Sequence, residues 1–159
     1  MTAEEIEKKG ERISTDLILE LYVPMFEQKV KIIVCFDKEN ESLSEDTILT
    51  FQDFLSIPKE GKNEMFDFIW DYYTKSFNSY EYSTDDGKTN KTYTLEDSLR
   101  DRGIETKEKV KQKSKLDSIQ IFNDMFLGYR SFIINLTTEW DLEHGLRISY
   151  ADGKLDDIG

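Results

Sequence analysis

The chain is short of several residue types, and each shortage narrows its chemistry. It has one cysteine, Cys35, in 159 residues, so no intramolecular disulfide can form. That usage fits a reducing compartment. It has one histidine, His144, remote in sequence from Cys35. A cysteine nucleophile needs a neighbouring base, so Cys35, inside Lys31-Ile-Ile-Val-Cys-Phe36, reads as a small buried hydrophobe. Long apolar runs are missing. The longest, Leu17–Val23 (broken by Glu20) and Ile32–Phe36, fall far below the ~20 residues of a membrane span. Met1–Gly10 carries three Glu and two Lys and no basic-then-apolar pattern, so no secretory signal is expected and a cytoplasmic location is. Basic residues are outnumbered, 21 Lys and Arg against 33 Asp and Glu, a net charge of −12. Nucleic acid and anionic membranes are held by clustered Lys and Arg. Neither is an expected partner.

What is present is the material of one domain with a substantial core. Aromatics make up 13 % of the chain, which argues against disorder. Ile13 to Asp37 reads as a β-hairpin interrupted at Pro24. Its second arm, Val30–Val34, is β-branched and apolar on both faces, so a central strand covered on both sides is expected. Ser44 is a fitting N-cap for a helix over Ser44–Ser56, where Ile48, Phe51, Phe54 and Leu55 recur at helical spacing before Pro58. A second helix over Asn63–Phe77 has an unusually wide apolar surface. Such a helix is either wedged in the core or shows one flank to a partner.

Ser83–Lys115 differs from the rest. It carries nine basic and seven acidic residues, leaving 12 basic and 26 acidic elsewhere, a net 12 − 26 = −14. Its signs are too mixed for a phosphate site, and it reads as a solvated, charged excursion with a short helix capped by Thr94. From Leu116 the pattern is β again. Ser118–Phe122 is a short strand, Asn123-Asp124 a turn, and Phe126–Leu136 an alternating strand that continues extended through Trp140. Leu146, Ile148 and Tyr150 then alternate toward the hairpin signal Asp152-Gly153, with Lys154–Ile158 returning. Strands and helices in separate runs indicate an α+β fold: an antiparallel sheet with two helices on one face. The expected core is Ile32, Val34, Phe51, Phe54, Leu55, Ile69, Phe132, Ile134, Leu136, Trp140, Leu146 and Ile148.

One segment carries a signature, Trp140-Asp-Leu-Glu-His-Gly-Leu146, read as a loop between strands. Asp141, Glu143 and His144 are metal-ligating types, but neighbours on an extended loop point apart. His144 beside a carboxylate could serve acid–base chemistry, but no nucleophile or oxyanion hole accompanies it. In the structural reading Trp140 packs on the sheet, Asp141 caps backbone amides two residues on, Gly145 fills a tight position and His144 satisfies a buried backbone group.

The stretch Glu139-Trp-Asp-Leu-Glu-His-Gly-Leu-Arg-Ile, followed by Asp152-Gly-Lys-Leu-Asp-Asp-Ile-Gly159, resembles the ending of a family of small uncharacterised bacterial domains. Leu21-Tyr-Val-Pro-Met-Phe with Val30-Lys-Ile-Ile-Val is similar to their opening hairpin. The resemblance implies a protein akin to the immunity proteins found beside bacterial polymorphic toxins, with no enzymatic activity.

The sequence reading is therefore a non-enzymatic domain that binds a protein with a basic surface, such as a toxin domain. Acidic surface steers such a partner and complements it. No catalytic residue, cofactor or metal is expected. The expected contact residues are Asp37, Glu39, Glu41, Glu45 and Asp46 in one loop, and Asp141, Glu143 and His144 in the other. The alternative is a small cytosolic enzyme, or a structural domain, using the Trp140–His144 loop.

Overall fold

The computed structural model describes residues 1–123 and 128–159. In chain order the elements are α1 (Ala3–Lys9), β1 (Glu11–Ile13), β2 (Asp16–Val23), a 3-10 turn (Pro24–Phe26), β3 (Gln28–Cys35), α2 (Glu45–Leu55) and α3 (Gly61–Lys75). Then come β4 (Tyr80–Ser83), β5 (Asn90–Tyr93), α4 (Leu95–Arg102), α5 (Lys107–Gln112), β6 (Ser114–Phe122), β7 (Ser131–Thr138), β8 (Asp141–Ala151) and β9 (Lys154–Ile158). Seven strands make one sheet in the order β1-β2-β3-β6-β7-β8-β9, and β4 and β5 form a separate hairpin. The α+β class holds.

The sheet follows from period-two alternation. Leu17, Leu19 and Leu21 pair with Val34, Ile32 and Val30; Ile32 and Val34 continue to Ile119 and Ile121; Ile134 pairs with Ile119 and Ile148. All of these are buried. Helices cover this face. Phe54 of α2 meets Phe132 of β7 edge-on at 5.7 Å, and Phe132 stacks on Tyr150 at 4.6 Å. Each fully buried Phe or Ile side chain contributes roughly 1.5–3 kcal/mol. The Ser44 side chain accepts from the Thr47 amide at 3.1 Å and caps α2, and Thr94 with Asp97 forms a capping box on α4.

Several expectations need correction. The sheet is mostly antiparallel, but β3 and β6 pair in parallel. The helices between them return the chain to the end of the sheet where β3 began, which is the requirement for a parallel neighbour. Among the described residues β3 is central but covered on one face only: Lys29 and Lys31 are exposed, and Ile33 and Cys35 half-buried. The charged excursion is not merely solvated, since Leu99, Ile104 and Val110 are buried in the core. Leu55 and Trp140 are half-buried rather than buried. The chain turns at Glu139-Trp140 instead of continuing extended, and β8 already begins at Asp141, so most of the signature segment is strand. Asp124 of the expected turn, and Phe126 at the head of the expected strand, lie outside the described residues; the strand itself starts at Ser131.

Candidate functional site

The strand registers place the two groups of candidate residues at opposite ends of the sheet. Cys35, just before the acidic loop, pairs with Phe122 at the end of β6. Thr138, just before the Trp140 turn, pairs with Ser114 at the start of β6. Nine residues of strand, rising roughly 3.3 Å each, separate the two ends by nearly 30 Å. The fold does not bring them together.

At the acidic end the loop is held from within. Asn123 is buried, and its side-chain oxygen accepts from the Ser44 amide at 2.8 Å and the Thr47 hydroxyl at 3.0 Å. Its side-chain nitrogen donates to the Ser42 carbonyl at 3.0 Å. Glu41 is also structural: it accepts from the Asp37 amide at 3.1 Å, and its carbonyl accepts from Arg12 at 2.8 Å. Asp37, Glu39, Glu45 and Asp46 are exposed, and among the described residues none of them forms an ion pair. Arg130 lies at this end but is taken by Asp53, which it grips through Nε at 2.8 Å and Nη2 at 3.2 Å. Glu45 and Asp46 occupy the first turn of α2, where the helix dipole favours negative charge.

Beside this loop the uncovered face of the sheet is apolar. Ile18, Ile33, Gln120 and Ile133 form one cross-strand row, and Cys35 and Phe122 stand in the next. None of these apolar side chains is fully buried; Phe122 is 41 % exposed, and Tyr22 further along is 57 % exposed. The next row is polar: Glu20, Lys31, Ser118, Asn135 and Arg147. The apolar strip thus reaches the end of the sheet from which the acidic loop leaves β3.

At the other end Gly145 makes the local structure possible. Its φ is +63°, and an added Cβ would collide with the Leu136 carbonyl oxygen. The resulting irregularity between Leu136 and Thr138 in the β7–β8 register turns Asp141 back on its own hairpin. Asp141 Oδ1 accepts from the His144 amide at 3.0 Å, three residues on rather than two, and lies 3.1 Å from His144 Nδ1. The amide bond, and after it the ring, holds the Asp141 carboxyl below its ordinary range. His144 satisfies no buried group: its side chain is 79 % exposed. Glu143 is exposed as well. Among the described residues no three His, Cys, Asp or Glu side chains gather as metal ligands.

The Trp140 indole donates to the Tyr73 hydroxyl at 3.1 Å, the two rings meeting edge-on at 6.0 Å. Tyr72 meets Tyr73 in the same fashion at 5.3 Å, and the Arg102 guanidinium stands 5.9 Å over the Tyr73 ring. Together they border a cleft of about 400 Å³. Tyr72, Tyr73 and Arg102 escaped the sequence reading as site residues. The wide apolar surface of α3 was the available signal for the tyrosines; Arg102 had none, being one charge among many.

A family model described as a domain of unknown function, DUF6985, matches residues 4–159. The chain belongs to the DUF6985 family. No curated protein and no solved structure matches it. Family membership therefore assigns no chemistry to either end, and the geometry has to carry the functional argument. No helix among the described residues is long and apolar enough to cross a membrane.

Proposed function

We propose that this DUF6985 chain is a non-enzymatic protein-binding domain whose partner presents a basic rim around an apolar patch, as an immunity protein covers a toxin domain. The observation that carries this reading is the sheet face of Ile18, Ile33, Ile133 and Phe122, which runs to the sheet end carrying the acids Asp37, Glu39, Glu45 and Asp46, none of them ion-paired among the described residues. Apolar contact supplies affinity at roughly 25 cal/mol per Å² before association costs are subtracted. The acids raise the encounter rate with a cationic partner. The immunity form of the reading rests on the resemblance of the Trp140–Leu146 segment and on this charge.

The polypeptides encoded beside the gene are the partners to test first. With one that binds, stopped-flow association across a salt series measures the steering. The on-rate is expected to fall as the Debye length shrinks from ~10 Å at 0.1 M salt to ~3 Å at 1 M. The triple change Glu39→Gln, Glu45→Gln, Asp46→Asn slows association and costs roughly 0.6–2 kcal/mol of urea stability, because Glu45 and Asp46 lose their favourable place at the α2 N-terminus. Glu41 is left out of the set because its carboxylate holds the loop. Phe122→Ser weakens binding through the off-rate. A salt-independent on-rate together with unchanged binding in Phe122→Ser would overturn the proposal.

A further inference from the structure

We propose that the cleft between α3, Arg102 and the β7–β8 hairpin binds a small planar aromatic molecule that carries a carboxylate. The proposal is independent of the protein-binding surface, which lies at the opposite end of the sheet.

The walls suit a flat ring. Tyr72, Tyr73 and Trp140 stand at 78° and 81° to one another in sequence around the cleft, so ring faces and edges are both on offer. Leu146 and Ile158, both buried, line it as well. About 400 Å³ leaves room for a bicyclic ring system and falls within the span of small-molecule sites. Such sites pair apolar walls with a few converging polar groups, and here those groups are donors. The Tyr73 oxygen already accepts from the Trp140 indole, so its own proton is left to donate outward. Arg102 spends Nη1 on the Ser98 carbonyl and hydroxyl, and its Nε and Nη2 have no acceptor among the described residues. His144 turns Nδ1 to Asp141, so Nε2 of the neutral ring is an acceptor, and the donors at the cleft are Tyr73 and Arg102.

The charge of the ligand follows from what is already in place. A cationic ligand would meet Arg102, which occupies the cation position over Tyr73. A phosphate dianion would meet one guanidinium in a chain of net charge −12. A carboxylate matches the planar fork of a single arginine. Asp141, the one acidic side chain among the described lining residues, is engaged by the His144 amide and ring.

Three indole probes separate these cases: indole-3-acetate, its isostere indole-3-acetamide, and the cationic tryptamine. Calorimetry on the full chain gives each affinity, and the Trp140 indole N–H resonance shows whether binding occurs at this cleft. Indole-3-acetate is expected to bind about tenfold tighter than the amide or the amine. Arg102→Gln should reduce that preference to about twofold or less while sparing the binding of the amide. Tyr73→Phe, which keeps the ring and deletes the hydroxyl, should shrink the preference as well and serves if Arg102→Gln does not fold. Equal affinity for all three probes, preference for tryptamine, or no shift of the Trp140 resonance with about 5 mM indole-3-acetate would each overturn the proposal.

Discussion

The two ends of the sheet use charge in opposite ways. At the acidic end Asp37, Glu39, Glu45 and Asp46 are exposed without an ion pair among the described residues, while the loop is held by the neutral amide of Asn123 together with Glu41 and Arg12. At the hairpin end Asp141 turns on His144, Arg102 stands over the Tyr73 ring, and the cleft wall is aromatic. Unspent charge acts over a Debye length and affects encounter rates. Charge satisfied within three residues contributes little at range, so recognition there depends on shape and on single hydrogen bonds. One scaffold therefore carries a long-range surface and a short-range cleft, nearly 30 Å apart along roughly nine strand residues.

The sharpest way to break the comparison is to remove the backbone device of the hairpin end. Gly145→Ala is expected to cost about 2–5 kcal/mol, combining left-handed strain of roughly 1–2 kcal/mol with a steric conflict of about 1–3 kcal/mol against the Leu136 carbonyl. Gly87→Ala is the control. Its φ is similar, +64°, but nothing lies within 4 Å of the added methyl, so only the strain of roughly 1–2 kcal/mol applies. Urea melts compare the two. Equal losses would show that backbone conformation, and not the approach of β7, makes Gly145 necessary.

The matching change at the acidic end is Asn123→Ala. It strands the Ser44 amide and the Ser42 carbonyl, while the Thr47 hydroxyl keeps the Asn123 backbone carbonyl as its acceptor at 3.3 Å. Each orphaned group costs about 1–3 kcal/mol where water cannot reach it. Because Ser42 and Ser44 lie near solvent, the expected total is about 2–4 kcal/mol, with hydrogen exchange at the Ser44 amide accelerating before global unfolding. A loss below about 0.5 kcal/mol would mean that the loop is held by Glu41 and Arg12 instead.

These two anchors also mark where sequence reasoning stops. The strands were legible because their alternation is local: Leu17 to Val23 and Leu146 to Tyr150 show their faces without knowledge of a neighbour. Helices α2 and α4 were legible through Ser44 and Thr94, whose capping bonds span three residues, while the short α1 and α5 were not read. Acidic composition located the loop. The parallel pairing of β3 with β6 was not legible, since it joins segments on either side of all the helices from α2 to α5. For the same reason no pattern placed Asn123 under Ser44, or Tyr73 and Arg102 beside Trp140: these contacts are products of topology. Gly145 was readable as a tight position, but its collision partner, Leu136, lies on another strand.

Trp140 sharpens the comparison more gently. Being half-buried, it should cost about 1–2 kcal/mol on truncation to Ala rather than the roughly 3–5 kcal/mol of a fully buried aromatic. Trp140→Phe keeps most of the ring contact and loses the hydrogen bond to Tyr73, so roughly 0.5–1.5 kcal/mol is expected. Near-identical melts for the two variants would place the weight on the indole N–H alone.

The smallest effect is a titration. The Asp141 carboxyl is held below its ordinary range, first by the His144 backbone amide and then by the His144 side chain. A carboxyl whose pKa is lower folded than unfolded stabilises the folded state above its unfolded value, near 3.9, and that contribution is lost as pH falls through the folded value. Local order in the hairpin is therefore expected to weaken only below about pH 4, with the His144 amide resonance moving as the hydrogen bond from its N–H fails. Asp141→Asn keeps an acceptor but carries no charge, so it should abolish the acid transition and leave the His144 amide shift independent of pH in that range. The exposure of the pair keeps the effect small, and the global melt of the wild-type chain should move little. An amide shift at His144 that persists unchanged in Asp141→Asn would assign the transition to another carboxylate and remove Asp141 from its place as the residue that folds the charge of this end back on itself.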